Sequence, residues 1–115
     1  MIEVNGEVEL ETLIRAENGA FVVDESFNRF EYFNKFYSYK WNRIFIKNQK
    51  TRWGSCSKRG NLNFNYRIAL LPPEAADYII VHELCHLKEF NHSRNFWKLV
   101  EQQIPNYKIL HKALK

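Results

Sequence analysis

The chain has 115 residues, 45% of them hydrophobic and 26% charged, a globular composition long enough for one domain with its own core. Its net charge of +4 marks no extreme, and two cysteines, Cys56 and Cys85, are too few for a disulfide framework. Residues 1–7 lack the basic and apolar regions of a signal peptide, and the longest apolar runs, such as 78–81, are too short to span a bilayer, so a protein of the reducing cytoplasm is expected.

Along the chain, Ile2 and Val4, then Val8 and Leu10, alternate about Asn5-Gly6. That is a hairpin signal, because a type I′ turn needs positive φ at both central residues. Asn18-Gly19 offers a second turn, although Leu10, Leu13 and Ile14 could also share one face of a helix over 7–17. A helix capped by Asp24 or Ser26 is predicted to run to about Tyr39. Its buried face is the stripe Phe27, Phe30, Phe33, Tyr37 and Trp41, which recurs every three or four residues.

Residues 43–70 read as β structure. Ile44 and Ile46 alternate with Phe45 and Lys47, and Leu62, Phe64 and Tyr66 alternate with Asn63, Asn65 and Arg67. The expectation is a long antiparallel hairpin, 43–56 against 61–70, turning at 58–61. Pro72-Pro73 stops it, and Pro73 suits the first position of a helix over 73–89 that is apolar on several sides. Asn91 breaks the chain, because Asn tolerates the left-handed conformation. Ser93 then caps a helix holding Phe96, Trp97, Leu99, Val100 and Ile104. Pro105 ends it or opens a last short helix with Tyr107, Leu110 and Leu114.

The 73–89 helix carries His82-Glu83-Leu84-Cys85-His86, an H-E-x-x-H motif. Four helical residues turn about 400°, so the two imidazoles stack one turn apart and can grip one Zn²⁺. Glu83 sits beside the metal but off the ligand face, where it can take a proton from a water that the metal activates. A catalytic zinc site needs three protein ligands. His92, ten residues after His82, is the expected third, with Glu101 as the alternative. The spacing of the three histidines equals that of metzincins, but Glu89 stands where their glycine would, and no methionine follows the site.

Several other residues invite a role. Arg52, Tyr66 and Arg67, with Tyr107, are candidate donors to a tetrahedral oxyanion. The strand at 52–56 could pair an extended substrate through its backbone. Cys85 is expected to be a small buried residue, Cys56 either packs or approaches the site, and His111 is expected on an exposed helix face.

Thr51-Arg52-Trp53-Gly54-Ser55-Cys56, Leu62-Asn63-Phe64-Asn65, the H-E-x-x-H segment, and Asn91-His92-Ser93 with Phe96-Trp97 occur in this order. Together, over about residues 28–110, they resemble the YgjP-like family of zinc metallopeptidases, itself similar to the SprT- and Wss1-like zincins. The resemblance implies a minimal zincin core, one zinc ion at His82, His86 and His92, and Glu83 as the base. The expectation is therefore an α+β, zincin-like domain, a small antiparallel sheet packed on the active-site helix with flanking helices. It would form one unit over 1–115, with an acidic segment at 1–24 and the catalytic core at 25–115.

Charge adds competing readings. Residues 1–31 carry eight acids and two bases, whereas residues 32–73 carry nine bases and no acid. The bland account is that the acidic segment lies against the basic one. A zinc phosphohydrolase is one alternative to a peptidase acting on peptides or proteins. A protease associated with nucleic acid through the basic stretch is another, and it would bind less tightly as salt rises. The acidic segment could also cover the cleft and hold the enzyme latent.

Overall fold

The computed structural model describes residues 7–8, 20–48 and 51–114. The elements run in the order β1 (Glu7–Val8), α1 (Ala20–Tyr37), β2 (Arg43–Lys47), β3 (Gly54–Cys56), β4 (Asn61–Asn65), a 3₁₀ turn (Tyr66–Leu70), α2 (Pro73–Cys85), α3 (Arg94–Gln103) and α4 (Tyr107–Ala113). The architecture is α+β. The expected turns at Asn5-Gly6 and Asn18-Gly19 lie outside the described residues. No helix among the described residues is long and apolar enough to cross a membrane.

Helix α1 begins upstream of both expected caps, at Ala20. The apolar periodicity continues backwards from Phe27 to Val23, so the helix has no reason to start at Asp24. Its end is locked by Asn34. The Asn34 side chain accepts from the Tyr39 N–H at 2.9 Å and donates to the Tyr39 carbonyl at 3.0 Å. Ser38 takes the left-handed conformation, φ 57°, and turns the chain off the helix axis. Phe30, Phe33 and Trp41 of the aromatic stripe are buried, and Phe30 meets Trp41 edge to face at 5.7 Å.

The sheet is mixed, which corrects the expected antiparallel one. Its order is β1-β2-β4-β3. β2 pairs parallel with β4 over five residues, from Arg43 opposite Asn61 to Lys47 opposite Asn65. β3 pairs antiparallel with the far side of β4, Gly54 opposite Phe64 and Cys56 opposite Leu62. The alternation placed Ile44, Ile46, Leu62 and Phe64 on the core face correctly, and all four are buried. Alternation sets the face of a strand but neither its partner nor its direction. The predicted second strand also ends early. Asn65 Oδ1 accepts from the Arg67 N–H at 3.0 Å, and this local bond starts the 3₁₀ turn in place of further ladder.

Helix α2 crosses beneath the sheet with Pro73 in its first turn, and Tyr78, Ile79, Ile80, Val81, Leu84 and Cys85 are buried. Past Cys85 the backbone tightens to i→i+3 bonds: His86 N–H to the Glu83 carbonyl, Leu87 to Leu84 and Lys88 to Cys85, each 3.1 Å. The chain then turns without a left-handed Asn91, because Ser38 is the only non-glycine residue with positive φ among those described. The Ser93 N–H instead bonds the Asn91 carbonyl at 2.8 Å. Ser93 caps α3 as expected, its hydroxyl accepting from the Phe96 N–H at 3.3 Å. That cap aims Phe96 and Val100 into the core.

Candidate metal centre

The tightened turn after α2 leaves His86 one turn above His82 and brings His92 back over both. Histidines 82, 86 and 92 each offer one ring nitrogen, and these nitrogens all lie within 4.8 Å of one another. The His92 Nε2 lies 3.1 Å from His86 Nε2 and 3.2 Å from His82 Nε2. A tetrahedral ion bonded to imidazoles at ~2.0–2.1 Å holds its nitrogen ligands ~3.3–3.4 Å apart. The three nitrogens therefore fit a single metal ion.

The opposite nitrogens support the same orientation. His86 Nδ1–H donates to the Glu89 carbonyl at 3.0 Å, and His82 Nδ1–H donates to Glu83 Oε2 at 3.2 Å. A proton held on Nδ1 leaves the Nε2 lone pair free for a metal. Burial lowers the His86 pKa, and burial together with the two neighbouring histidines lowers that of His92. Both shifts favour neutral, ligating imidazole near neutral pH.

Phe96 forms the floor. It is 0% exposed, stacks on His86 at 4.4 Å, and meets His82 and His92 edge-on, each at 5.0 Å. Trp97 stacks on His92 at 5.7 Å and on Tyr107 at 5.0 Å. Three rings that would otherwise rotate freely are thus held by aromatic packing.

Glu83 is buried, 6% exposed, under strand β3. The approach is close because residue 54 is glycine. A Cβ at Gly54 would lie 2.9 Å from Glu83 Cγ and 3.3 Å from Glu83 Oε2. β3 is an edge strand of the sheet, unpaired on its outer side among the described residues. The Asn65 N–H bonds the Trp53 carbonyl at 2.8 Å and the Ser57 N–H bonds the Asn61 carbonyl at 2.9 Å. Antiparallel pairs alternate, so the backbone groups of Gly54 and Cys56 face the open edge beside Glu83.

Of the other expected residues, Tyr107 packs beside the cluster through Trp97, and Arg52, Tyr66, Arg67 and Glu101 do not join it. No hydrogen bond or ring contact joins Arg52, Tyr66 or Arg67 to the histidines. The Arg67 guanidinium lies over the exposed Tyr66 ring at 5.9 Å, and the Arg52 carbonyl accepts from Asn65 Nδ2 at 3.0 Å. Glu101 is exposed on α3 and outside the histidine cluster. Cys85 is buried as expected, its thiol pushed up to about 12 by that burial. Cys56 is half-buried against the core, its thiol raised to about 12 by burial and by the charge of Glu83.

His111 corrects its expectation. It is half-buried, and its Nδ1 shares a hydrogen bond at 2.8 Å with the hydroxyl of Tyr78, which stands one helical turn before His82. Sequence reasoning also gave Gly54 no role. Its signal was legible, since a glycine inside a strand marks a close approach of another group.

The sequence profile of the YgjP-like metallopeptidase domain matches residues 10–115. The chain belongs to the YgjP-like family. As a YgjP-like metallopeptidase it is also similar in structure to the metallopeptidase zymogen abylysin of Pyrococcus abyssi, with 26% identity and a TM-score of 0.69 over 77% of this chain and 90% of that one. Wss1 of Saccharomyces cerevisiae shares the fold at 16% identity and a TM-score of 0.67, over 96% of this chain and 91% of that one. A Wss1 mutant gives the same picture, with 16% identity and a TM-score of 0.67. No curated protein matches the YgjP-like chain by sequence. Its family supplies the expectation of a metal and of peptide or protein substrates, and the histidine cluster is where a metal fits.

Proposed function

We propose that this YgjP-like metallopeptidase is a zinc-dependent peptidase, with the metal held by His82, His86 and His92 and with Glu83 as general base. One observation carries the reading: three Nε2 atoms converge beside a buried carboxylate that lies under an open strand edge. Zinc, when bound there, supplies Lewis acidity, polarising a carbonyl and lowering the pKa of water.

The chain's own groups do the rest. The open backbone groups of Gly54 and Cys56 pair with an extended substrate and lay it across α2. Glu83 accepts the proton of the attacking water and returns it to the departing amine. Its burial under β3 fixes the carboxylate before substrate arrives, so little reorganisation remains at the moment of reaction.

A three-histidine set with one adjacent carboxylate favours a peptide bond over a phosphate ester, since phosphatase sites typically pair two metals through carboxylate bridges. The test is cleavage of a peptide library by zinc-loaded protein beside Glu83→Gln. Metal-dependent cleavage that is lost in Glu83→Gln, with zinc retained, supports the reading. Equal cleavage by both proteins would remove Glu83 from the mechanism. Zinc-dependent hydrolysis of nucleotides with no peptide cleavage would move the activity to the phosphohydrolase class.

A nucleic-acid-associated protease keeps one specific support. Arg43 and Lys47 are exposed on the sheet face away from α2, with Phe45 between them and Lys47 Nζ 5.0 Å from its ring. Binding to single-stranded DNA that weakens steeply between low and physiological salt would favour it. Absence of binding at low salt would end it.

A further inference from the structure

Phe90 is a large apolar side chain left 47% exposed at the rim of the histidine cluster, its ring 6.3 Å from that of His86. Across from it stands Lys58, whose Nζ lies 5.4 Å from the Phe90 centroid. Phe90 belongs to the loop after α2. Lys58 belongs to the turn joining β3 to β4, which is held by the Gly60 N–H to Ser57 carbonyl bond at 3.0 Å and by the left-handed Gly60, φ 85°. The contact therefore bridges the sheet side and the helix side of the cleft, at the end of the open edge of β3.

Two properties give this bridge a chemical preference. Lys58 is exposed and has no carboxylate partner among the described residues. A cation over a ring face is weakly held at an exposed site, so a carboxylate can recruit it at little cost. The Phe90 ring offers apolar contact to the methylenes behind such a carboxylate.

Spacing places the contact along the substrate. Gly54 marks the level of Glu83, and Ser57, three residues on, is still bonded to Asn61 of β4 and adjoins Lys58, so at ~3.3 Å per residue the start of the turn is reached ~10 Å further on. An extended peptide on the edge of β3 presents a side chain there about three residues from the bond under attack.

We propose that Lys58 and Phe90 form a substrate subsite that selects an acidic side chain, Glu or Asp, about three residues from the scissile bond on one side. The proposal rests on the peptidase reading and on substrate pairing with β3.

The test uses zinc-loaded full-length protein and a cleavable peptide carrying Glu, Ala or Lys at each of four positions on either side of the bond. An exposed ion pair exchanged for a like-charge pair predicts a Glu-over-Lys preference in kcat/KM of roughly three- to tenfold at one position, shrinking as salt rises. Lys58→Glu should reverse that preference and Phe90→Ala should weaken it. Lys108→Glu, the same charge change on exposed α4, should leave it as in wild type.

The same peptides are titrated by fluorescence anisotropy against zinc-loaded Glu83→Gln, so selection is read without catalysis. Equal affinity for Glu and Lys peptides at every position, or a preference that Lys58→Glu leaves intact, would overturn the subsite. Selective binding with no cleavage by wild type would support the subsite and overturn the peptidase reading.

Discussion

The Cα of Gly54 in β3 packs directly over the Glu83 side chain of α2. A methyl group at residue 54 would sit 2.9 Å from Glu83 Cγ and 3.0 Å from the Asn63 carbonyl oxygen. The first neighbour is the proposed base and the second is backbone of the adjoining strand. Neither can retreat freely, so the missing side chain is what lets the strand edge and the carboxylate share one place.

Gly54→Ala should therefore lose catalysis before it loses the fold. Misplacing a catalytic group by about 1 Å costs on the order of 100-fold in rate, and overpacking costs ~1–3 kcal/mol of stability. Zinc content should remain one per chain, because the histidines do not touch residue 54. Separate measurement of kcat, KM, metal content and urea midpoint checks this. A wild-type kcat would show that Glu83 tolerates displacement.

Removal of single ligands separates the two candidates for the third position. His92→Ala should lose most of its zinc in mass spectrometry of protein purified without added metal, whereas Glu101→Ala should retain it. Chelation should abolish activity, and one equivalent of zinc should restore it. Full zinc retention in His92→Ala would transfer the third ligand to Glu101.

The floor under the imidazoles predicts a coupling between packing and metal affinity. Phe96 is fully buried and touches all three rings. Phe96→Ala should cost ~3–5 kcal/mol by the usual cavity effect, and it should also weaken zinc binding because the rings lose their common support. Denaturation of the metal-free protein isolates the first effect, and a competition titration for zinc measures the second. Unchanged zinc affinity in a folded Phe96→Leu protein would show that the Nδ1 hydrogen bonds of His82 and His86 and the stacking of His92 on Trp97 orient the ligands without Phe96.

The histidine shifts carry a definite sign. Burial holds His86 below its ordinary value near ~6.5, and burial with neighbouring imidazoles does the same for His92. Between the lowered folded value and ~6.5 the unfolded chain binds more protons. The metal-free protein should accordingly lose stability as pH falls from about 6.5 through the folded values, and the loss should level off below them. Imidazole carbon-bound proton shifts followed by NMR in the metal-free protein should give both midpoints below ~6.5. A midpoint at or above that value for either residue would contradict the burial argument.

Both thiols should resist alkylation in the native state. At about 12, each is almost wholly protonated at pH 8, where an ordinary thiol near ~8.5 is about one-quarter thiolate. Iodoacetamide labelling at pH 8 should be at least about a hundredfold slower than in urea-unfolded protein. Rapid native labelling of Cys56, the half-exposed one, would contradict the burial that raises its thiol.

Much of this arrangement was legible from residue order. The spacing of His82 and His86 needs only helical geometry, and Ser93 announced its cap by standing three residues before Phe96. Core faces followed from alternation at Ile44, Ile46, Leu62 and Phe64. Sheet topology did not, because a five-residue strand can satisfy its apolar face beside either of two neighbours and in either direction. Nor was the placement of Tyr66 and Arg67 legible: the alternation runs on past Leu62, but Asn65 ends the strand and puts both residues in the 3₁₀ turn. His111 was read as exposed because its partner, Tyr78, lies 33 residues away in sequence.

The sequence by itself determined the chemistry on offer: which histidines share a helix face, which carboxylate stands beside them, and how short a loop separates them from a third imidazole. Those relations are local, set by 3.6 residues per turn and by a short loop. Only the tertiary structure decided what surrounds them. It laid the edge of β3 over Glu83, put Phe96 beneath the rings, and set Lys58 opposite Phe90. Each of these depends on packing between segments distant in the chain, where burial and close approach choose among arrangements that local pattern leaves equivalent.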